Sequence, residues 1–166
     1  AHVLADAVLK VRPKAKLGFG PPIEEGFYYD FDTDPFSAED ILRIEKEMQK
    51  IIQEKIPFKS LMLSRKEAEK MYKDQPYKLE LMGGIEGDKM HFNQHGKFAD
   101  LCKYNMIDNT GQIGAVKILN TASAYWRGDS KNPQLQRIYA ISFPTRQQLD
   151  EFVKLREEAE KRDHRK

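Results

Sequence analysis

Apolar residues recur at helical spacing at the start, the middle and the end of this chain, with two-residue alternation between those stretches. Val3, Leu4, Ala7, Val8 and Val11 share one helical face, and Pro13 ends the helix by removing a donor and disfavouring helix just before it. That pattern is already under way at the first residues, which predicts that the element begins upstream of Ala1 and that the sequence is an excised piece. Lys16 to Asp32 alternates aromatic and small residues around a Gly-Pro-Pro turn. It predicts two short strands joined by a tight loop, with Phe27 and Tyr29 on one face and Tyr28 on the other. Ser37 stands at capping-box distance from Asp40, ahead of Ile41, Ile44, Met48, Ile51 and Ile52 at helical spacing. The opposite face of that helix, Glu45, Lys46, Glu47, Lys50 and Glu54, reads as a solvated charge run.

Phe58 to Leu63 reads as a strand, and Ser64 with Glu67 caps another helix through Met71 and Tyr72. Pro76 opens a short helix or turn that stops at Gly83 and Gly84. Lys89 to Phe92 and Lys97 to Leu101 form the arms of a hairpin around His95 and Gly96. Ile113 to Trp126 and Leu135 to Phe143 are the two longest strand candidates, separated by the turn-rich RGDSKNP. Thr145 with Gln148 caps a last helix whose Leu149, Phe152 and Val153 face inward before a charged tail, EEAEKRDHRK. Helices and strands are mixed without regular alternation, so the fold class is α+β with an antiparallel sheet packed against helices.

The 166 residues suffice for one domain with a real core. The expected division is a domain over 1–154, with 155–166 the start of a linker helix. Charged residues form 33% of the chain and nearly cancel, leaving a formal +2. This is not the strongly basic face of a general nucleic-acid binder, although it permits such a partner. The single cysteine excludes an internal disulfide framework and a four-cysteine zinc site, and fits a reducing compartment, so the expected location is the cytoplasm. No apolar run approaches the roughly 18 to 20 residues that span a membrane.

That cysteine, Cys102, lies in GKFADLCKYNMIDNTG (Gly96 to Gly111), close to Asp100 and ahead of a polar turn. Two readings apply: the floor of a cleft, or a small buried core residue. His91 and His95 have H-x-x-x-H spacing, but HFNQH lies in the predicted hairpin, where residues four apart do not converge as on a helix. The ordinary reading makes His91 a solvent-facing strand residue and His95 a turn residue tolerating a left-handed backbone. His164 belongs to the charged tail. His2 and Cys102 are both types that bind zinc or move protons, but two ligands do not make a zinc site. Lys78 and Asp100 form either a proton-shuttling set with them or a structural ion pair. Phosphate-loop and dinucleotide glycine fingerprints are absent, so the residues give no support for ATP or NAD binding.

Taken together, AHVLADAV, LGFGPPIEEGFYYDF, PYKLEL, FADLC, NTGQIGAVKIL, AYWRGD, LQRIYAISFP and EEAEKRDHRK occur in an order and spacing that resembles the editing domain of threonyl-tRNA synthetases, over essentially the whole chain. The related alanyl-tRNA editing proteins share the outline, whereas AYWRGD, LQRIYAISFP and KRDHRK resemble the threonyl branch. The resemblance implies a domain that hydrolyses the ester of serine wrongly joined to threonine tRNA. Such a second site is physically needed, because one missing methyl in a pocket discriminates by only about 1–3 kcal/mol.

By resemblance, His2 matches the second histidine of a helical H-x-x-x-H pair, whose first member would lie before Ala1. Asp100 and Cys102 match the D-L-C segment, Lys78 the lysine of P-Y-K, and Tyr29 a cleft-lining tyrosine of G-F-Y-Y-D. The implied catalytic set is His2, Lys78, Asp100 and Cys102, with Tyr29 binding substrate; these groups would position the terminal ribose and the serine and activate a water. Lys103, Tyr104 and Arg127 are the side chains expected nearest the tRNA acceptor end, through stacking and phosphate contacts. The family's C-R-G-P-H reads CKYNM here, and the thioether of Met106 cannot do a histidine's proton work. Three functions follow: a hydrolase working with reduced activity, a structural and tRNA-contacting module that has lost editing, or a freestanding deacylase, which the KRDHRK exit disfavours. The expected partners are tRNA(Thr) and the remainder of a synthetase chain, which would be a homodimer and would carry the ATP and zinc chemistry. No cofactor is expected for these residues.

Overall fold

In the computed structural model, the first helix stops at the place Pro13 requires, and the chain turns back at once to open a sheet. The structure describes residues 2–20, 22–23, 26–85, 87–101, 110–143 and 145–163. Helix α1 (His2–Val11) buries Val3, Leu4, Ala7 and Val8, the predicted face. Strand β1 (Lys16–Leu17), strand β2 (Pro22–Ile23) and strand β3 (Gly26–Asp32) follow, with β1 and β2 both antiparallel to β3. The region therefore holds three short strands where two were expected. Gly26 makes the extra return possible: it takes φ +116, and the Ala140 carbonyl occupies the place of a Cβ.

Ser37 and Asp40 close a full capping box on helix α2 (Ala38–Gln53), which buries Ile44, Met48, Ile51 and Ile52. Strand β4 (Phe58–Ser64) runs into helix α3 (Arg65–Met71) through a second capping box, between Ser64 and Glu67. Helix α4 (Pro76–Gly83) starts on its proline, as the fixed φ of that residue favours. Strand β5 (Lys89–His95) and strand β6 (Phe98–Leu101) make the expected hairpin. Strand β7 (Ala115–Tyr125) begins two residues later than predicted, because Thr110–Ile113 is a tight helical turn. Thr110 fastens that turn to the end of α2, its hydroxyl donating to the Ile51 carbonyl at 2.6 Å and accepting from the Ile56 N–H at 2.9 Å. Strand β8 (Gln134–Phe143) and helix α5 (Arg146–Asp163) complete the chain. The Thr145 hydroxyl accepts from the Gln148 N–H as the cap of α5, which continues unbroken past residue 154.

Two antiparallel sheets result. One has the order β1-β3-β8-β7 with β2 also on β3; the other has the order β4-β5-β6. The class is α+β, as the mixed patterning indicates. The larger core joins α1, α2, β3, β7 and β8 through residues such as Leu4, Phe31, Ile44 and Ile138. A second core, formed by Ala68, Tyr72, Met82, Met90 and Phe92, packs α3 and α4 against the smaller sheet. Among the described residues no helix is long and apolar enough to cross a membrane.

Two sequence expectations are corrected. Glu45 does not belong to a solvated face: it is buried, because its carboxylate accepts the Ile118 N–H from β7. His95 is not a turn residue. It ends β5 and is 1% exposed, and Gly96 takes the left-handed backbone at φ +58 in its stead.

Candidate active site

Five elements converge on one carboxylate. Asp100 is the third residue of β6, and the two-residue strand period turns it inward with Phe98, toward α1. Tyr29 reaches it from β3, where the same alternation places Tyr29 and Phe31 in the core. Tyr72 arrives from the end of α3, Lys78 from the first turn of α4, and His2 from the first turn of α1. The Tyr29 hydroxyl donates to Asp100 Oδ2 at 2.7 Å, and the Tyr72 hydroxyl donates to Oδ1. Lys78 Nζ stands 3.1 Å from Oδ1 and 3.3 Å from Oδ2. The Leu101 N–H adds a contact to Oδ1 at 2.9 Å, and also meets the Tyr72 hydroxyl at 2.8 Å. His2 Nε2 lies 3.8 Å from Oδ2.

Burial would push the Asp100 carboxyl up, but the Lys78 ammonium, His2 and the two phenols outweigh it and hold the carboxyl below its usual range. Asp100 is therefore an anion whose lone pairs are filled, suited to orienting its neighbours and not to taking a proton near pH 7. Tyr29 and Tyr72 are pushed up, by burial first and by the Asp100 charge next, so both stay protonated donors. Burial also lowers His2 to about 4, against the pull of Asp100, so its imidazole is neutral at pH 7. Lys78 Nζ lies 5.0 Å over the Tyr29 ring, which adds a cation–π contact to its ion pair. The arrangement supplies a fixed ammonium, two phenols and a neutral imidazole around one buried carboxylate.

The structure thus brings His2, Tyr29, Lys78 and Asp100 together. Cys102, Lys103, Tyr104 and Met106 lie outside the described residues, as does His164. Arg127 is not in the cluster: it sits in a tight turn with φ 56, its guanidinium 5.8 Å over Trp126 and 3.8 Å from Glu80. His91 contacts the Ser60 hydroxyl across the strands. Among the described residues no group of three or more His, Cys, Asp or Glu side chains could hold a metal ion.

Sequence reasoning missed Tyr72, Asp6 and His95. Tyr72 carried only the signal of a core aromatic at a helix end. Asp6 lies four residues after His2 and so on the same helical side, a spacing visible in the sequence. Its Oδ2 is 3.0 Å from His95 Nε2.

Residues 93–139 match the family described as "Threonyl and Alanyl tRNA synthetase second additional domain". The whole chain aligns with threonine-tRNA ligases. It is 50% identical to that of Caldanaerobacter subterraneus subsp. tengcongensis, 49% to that of Carboxydothermus hydrogenoformans and 46% to that of Thermotoga petrophila, in each case over 170 aligned residues covering 100% of this chain. It spans 26% of the first of these ligases and 27% of the other two, about a quarter of their length. Residues within β5 to β8 thus carry a match to the threonyl and alanyl tRNA synthetase second additional domain, and the chain from end to end is similar to one region of threonine-tRNA ligases.

Proposed function

We propose that this domain edits for a threonyl-tRNA synthetase, hydrolysing the ester of serine mischarged onto tRNA(Thr), with activity weakened by Met106 at the motif histidine. The observation that carries the reading is the buried cluster in which Asp100 aligns Tyr29, Lys78 and His2 next to the strand end that leads into Cys102. An ester deacylase needs donors to orient a ribose and an amino acid and a group that handles a water proton. In this reading Lys78 and Tyr29 orient, the neutral imidazole of His2 and the Cys102 thiol act on the water, and Asp100 holds the set in place. Lys103, Tyr104 and Arg127 meet the acceptor end of the tRNA. The remainder of a cytoplasmic, homodimeric synthetase supplies the ATP-dependent and zinc-dependent threonine chemistry.

Deacylation of Ser-tRNA(Thr) by this chain, compared with Cys102→Ala and Met106→His, tests the proposal. We expect slow hydrolysis above buffer, abolished by Cys102→Ala and raised by Met106→His. No hydrolysis in the natural sequence and no gain in Met106→His would leave the second reading, a structural and tRNA-contacting module. That reading is favoured by the replacement of C-R-G-P-H with CKYNM.

A further inference from the structure

Helix α1 meets the β5–β6 hairpin through two polar contacts one helical turn apart, with the partners exchanged between them. At His2 the helix supplies the imidazole and β6 the carboxylate of Asp100; at Asp6 the helix supplies the carboxylate and β5 the imidazole of His95. The two contacts are unequal. His95 is fixed on both flanks by its cross-strand partners, Phe58 on β4 with ring centroids 5.2 Å apart and Phe98 on β6 at 5.4 Å. Its Nε2 reaches Asp6 at hydrogen-bond distance, 3.0 Å. His2 is held less closely. Its 3.8 Å approach to Asp100 is too long to be a hydrogen bond. Phe98 touches both imidazoles, 6.4 Å from His2 in an edge contact, so the two contacts belong to one packed unit.

We propose that Asp6 and His95 are a positioning pair: they set the lie of α1 over the β5–β6 hairpin and so hold the His2 imidazole beside Asp100. Neither residue touches the proposed substrate; both act through His2. The proposal rests on reading the Asp100 cluster as the site, but its test needs no turnover.

The imidazole of His2 is followed by NMR across pH in this chain and in Asp6→Ala, His95→Gln and Asp6→Asn. The described groups that face His2 are Asp100 on β6, Lys78 on α4 and His95 on β5. In the natural sequence His2 titrates near 4, because it is buried. In Asp6→Ala and in His95→Gln we expect a rise of about one pH unit or more toward the free value, as the ring leaves its place. Asp6→Asn, which keeps an acceptor for His95, retains the natural titration. A purely structural contact would lower the melting temperature in these variants without moving His2. A folded Asp6→Ala or His95→Gln in which His2 still titrates near 4 overturns the proposal, and either variant serves if the other does not fold. A chain that fails to deacylate Ser-tRNA(Thr) while His2 shifts as expected would sink the editing reading and leave the pair standing.

Discussion

Glu45 Oε1 accepts the backbone N–H of Ile118 at 2.9 Å, at the point where β7 loses register with β8 between Ile118 and Asn120. A bulge leaves strand groups without ladder partners, and a buried N–H left so costs about 1–3 kcal/mol. A side chain from α2 fills that place, which is why a carboxylate is tolerated inside. Glu45→Ala should lower unfolding stability by about 1–3 kcal/mol in urea, and Glu45→Gln, which keeps an acceptor, by clearly less. Equal losses in the two variants would mean that the contact to Ile118 contributes nothing.

Asp100→Asn removes the counter-charge of Lys78 while preserving shape. Lys78 is 2% exposed, so its ammonium would be left buried and unpaired. A loss of about 3–5 kcal/mol is expected, read from chemical denaturation. Lys78→Met in the same background should recover part of it by removing the orphaned charge; no recovery would show that the ion pair is not what Asp100 supplies to stability.

The two phenols on Asp100 should differ in weight. Tyr29 makes one hydrogen bond to the carboxylate, whereas the Tyr72 hydroxyl donates to it and also accepts the Leu101 N–H. Hydrogen bonds to a charged group contribute about 1.5–3 kcal/mol. Tyr29→Phe should fall in that range and Tyr72→Phe above it, compared by thermal or urea melts of the two single variants.

Acid should weaken the fold in two stages. The unfolded chain protonates His2 near 6.5 and the folded chain only near 4, so between those values the unfolded state binds more protons. Stability therefore declines as pH falls through that window. The Asp100 contribution, from a depressed carboxyl, is present above about 3.8 and is lost as pH falls through its lower folded value. Denaturation measured from pH 7 to pH 3 should show the decline, and His2→Gln should flatten its upper part. An unchanged slope in that variant would place the proton uptake elsewhere.

Most of the scaffold could be read from the chain because its signals are local. Ser37 with Asp40 and Ser64 with Glu67 are capping boxes in the structure, as their spacing predicts, and the faces of α1 and α2 follow from apolar periodicity. The site was legible only in part, for a physical reason: its contacts join residues far apart in sequence. The Tyr29–Asp100 hydrogen bond spans 71 positions and the Asp6–His95 contact 89. No local pattern encodes such a pairing. Glu45 and His95 were misread for the same reason, since the partners that make their burial tolerable belong to other elements.

The Asp100 cluster also ties the domain together: Tyr29 comes from the larger sheet, Asp100 from the smaller, and Tyr72, Lys78 and His2 from three helices. A lineage that ceased to hydrolyse anything would still be obliged to keep these residues, since losing one would threaten folding before it touched chemistry. Their presence in a relative therefore reflects the joining of the two sheets as well as any chemistry of the cleft. Differences in chemistry between relatives would then be sought at positions the junction does not need.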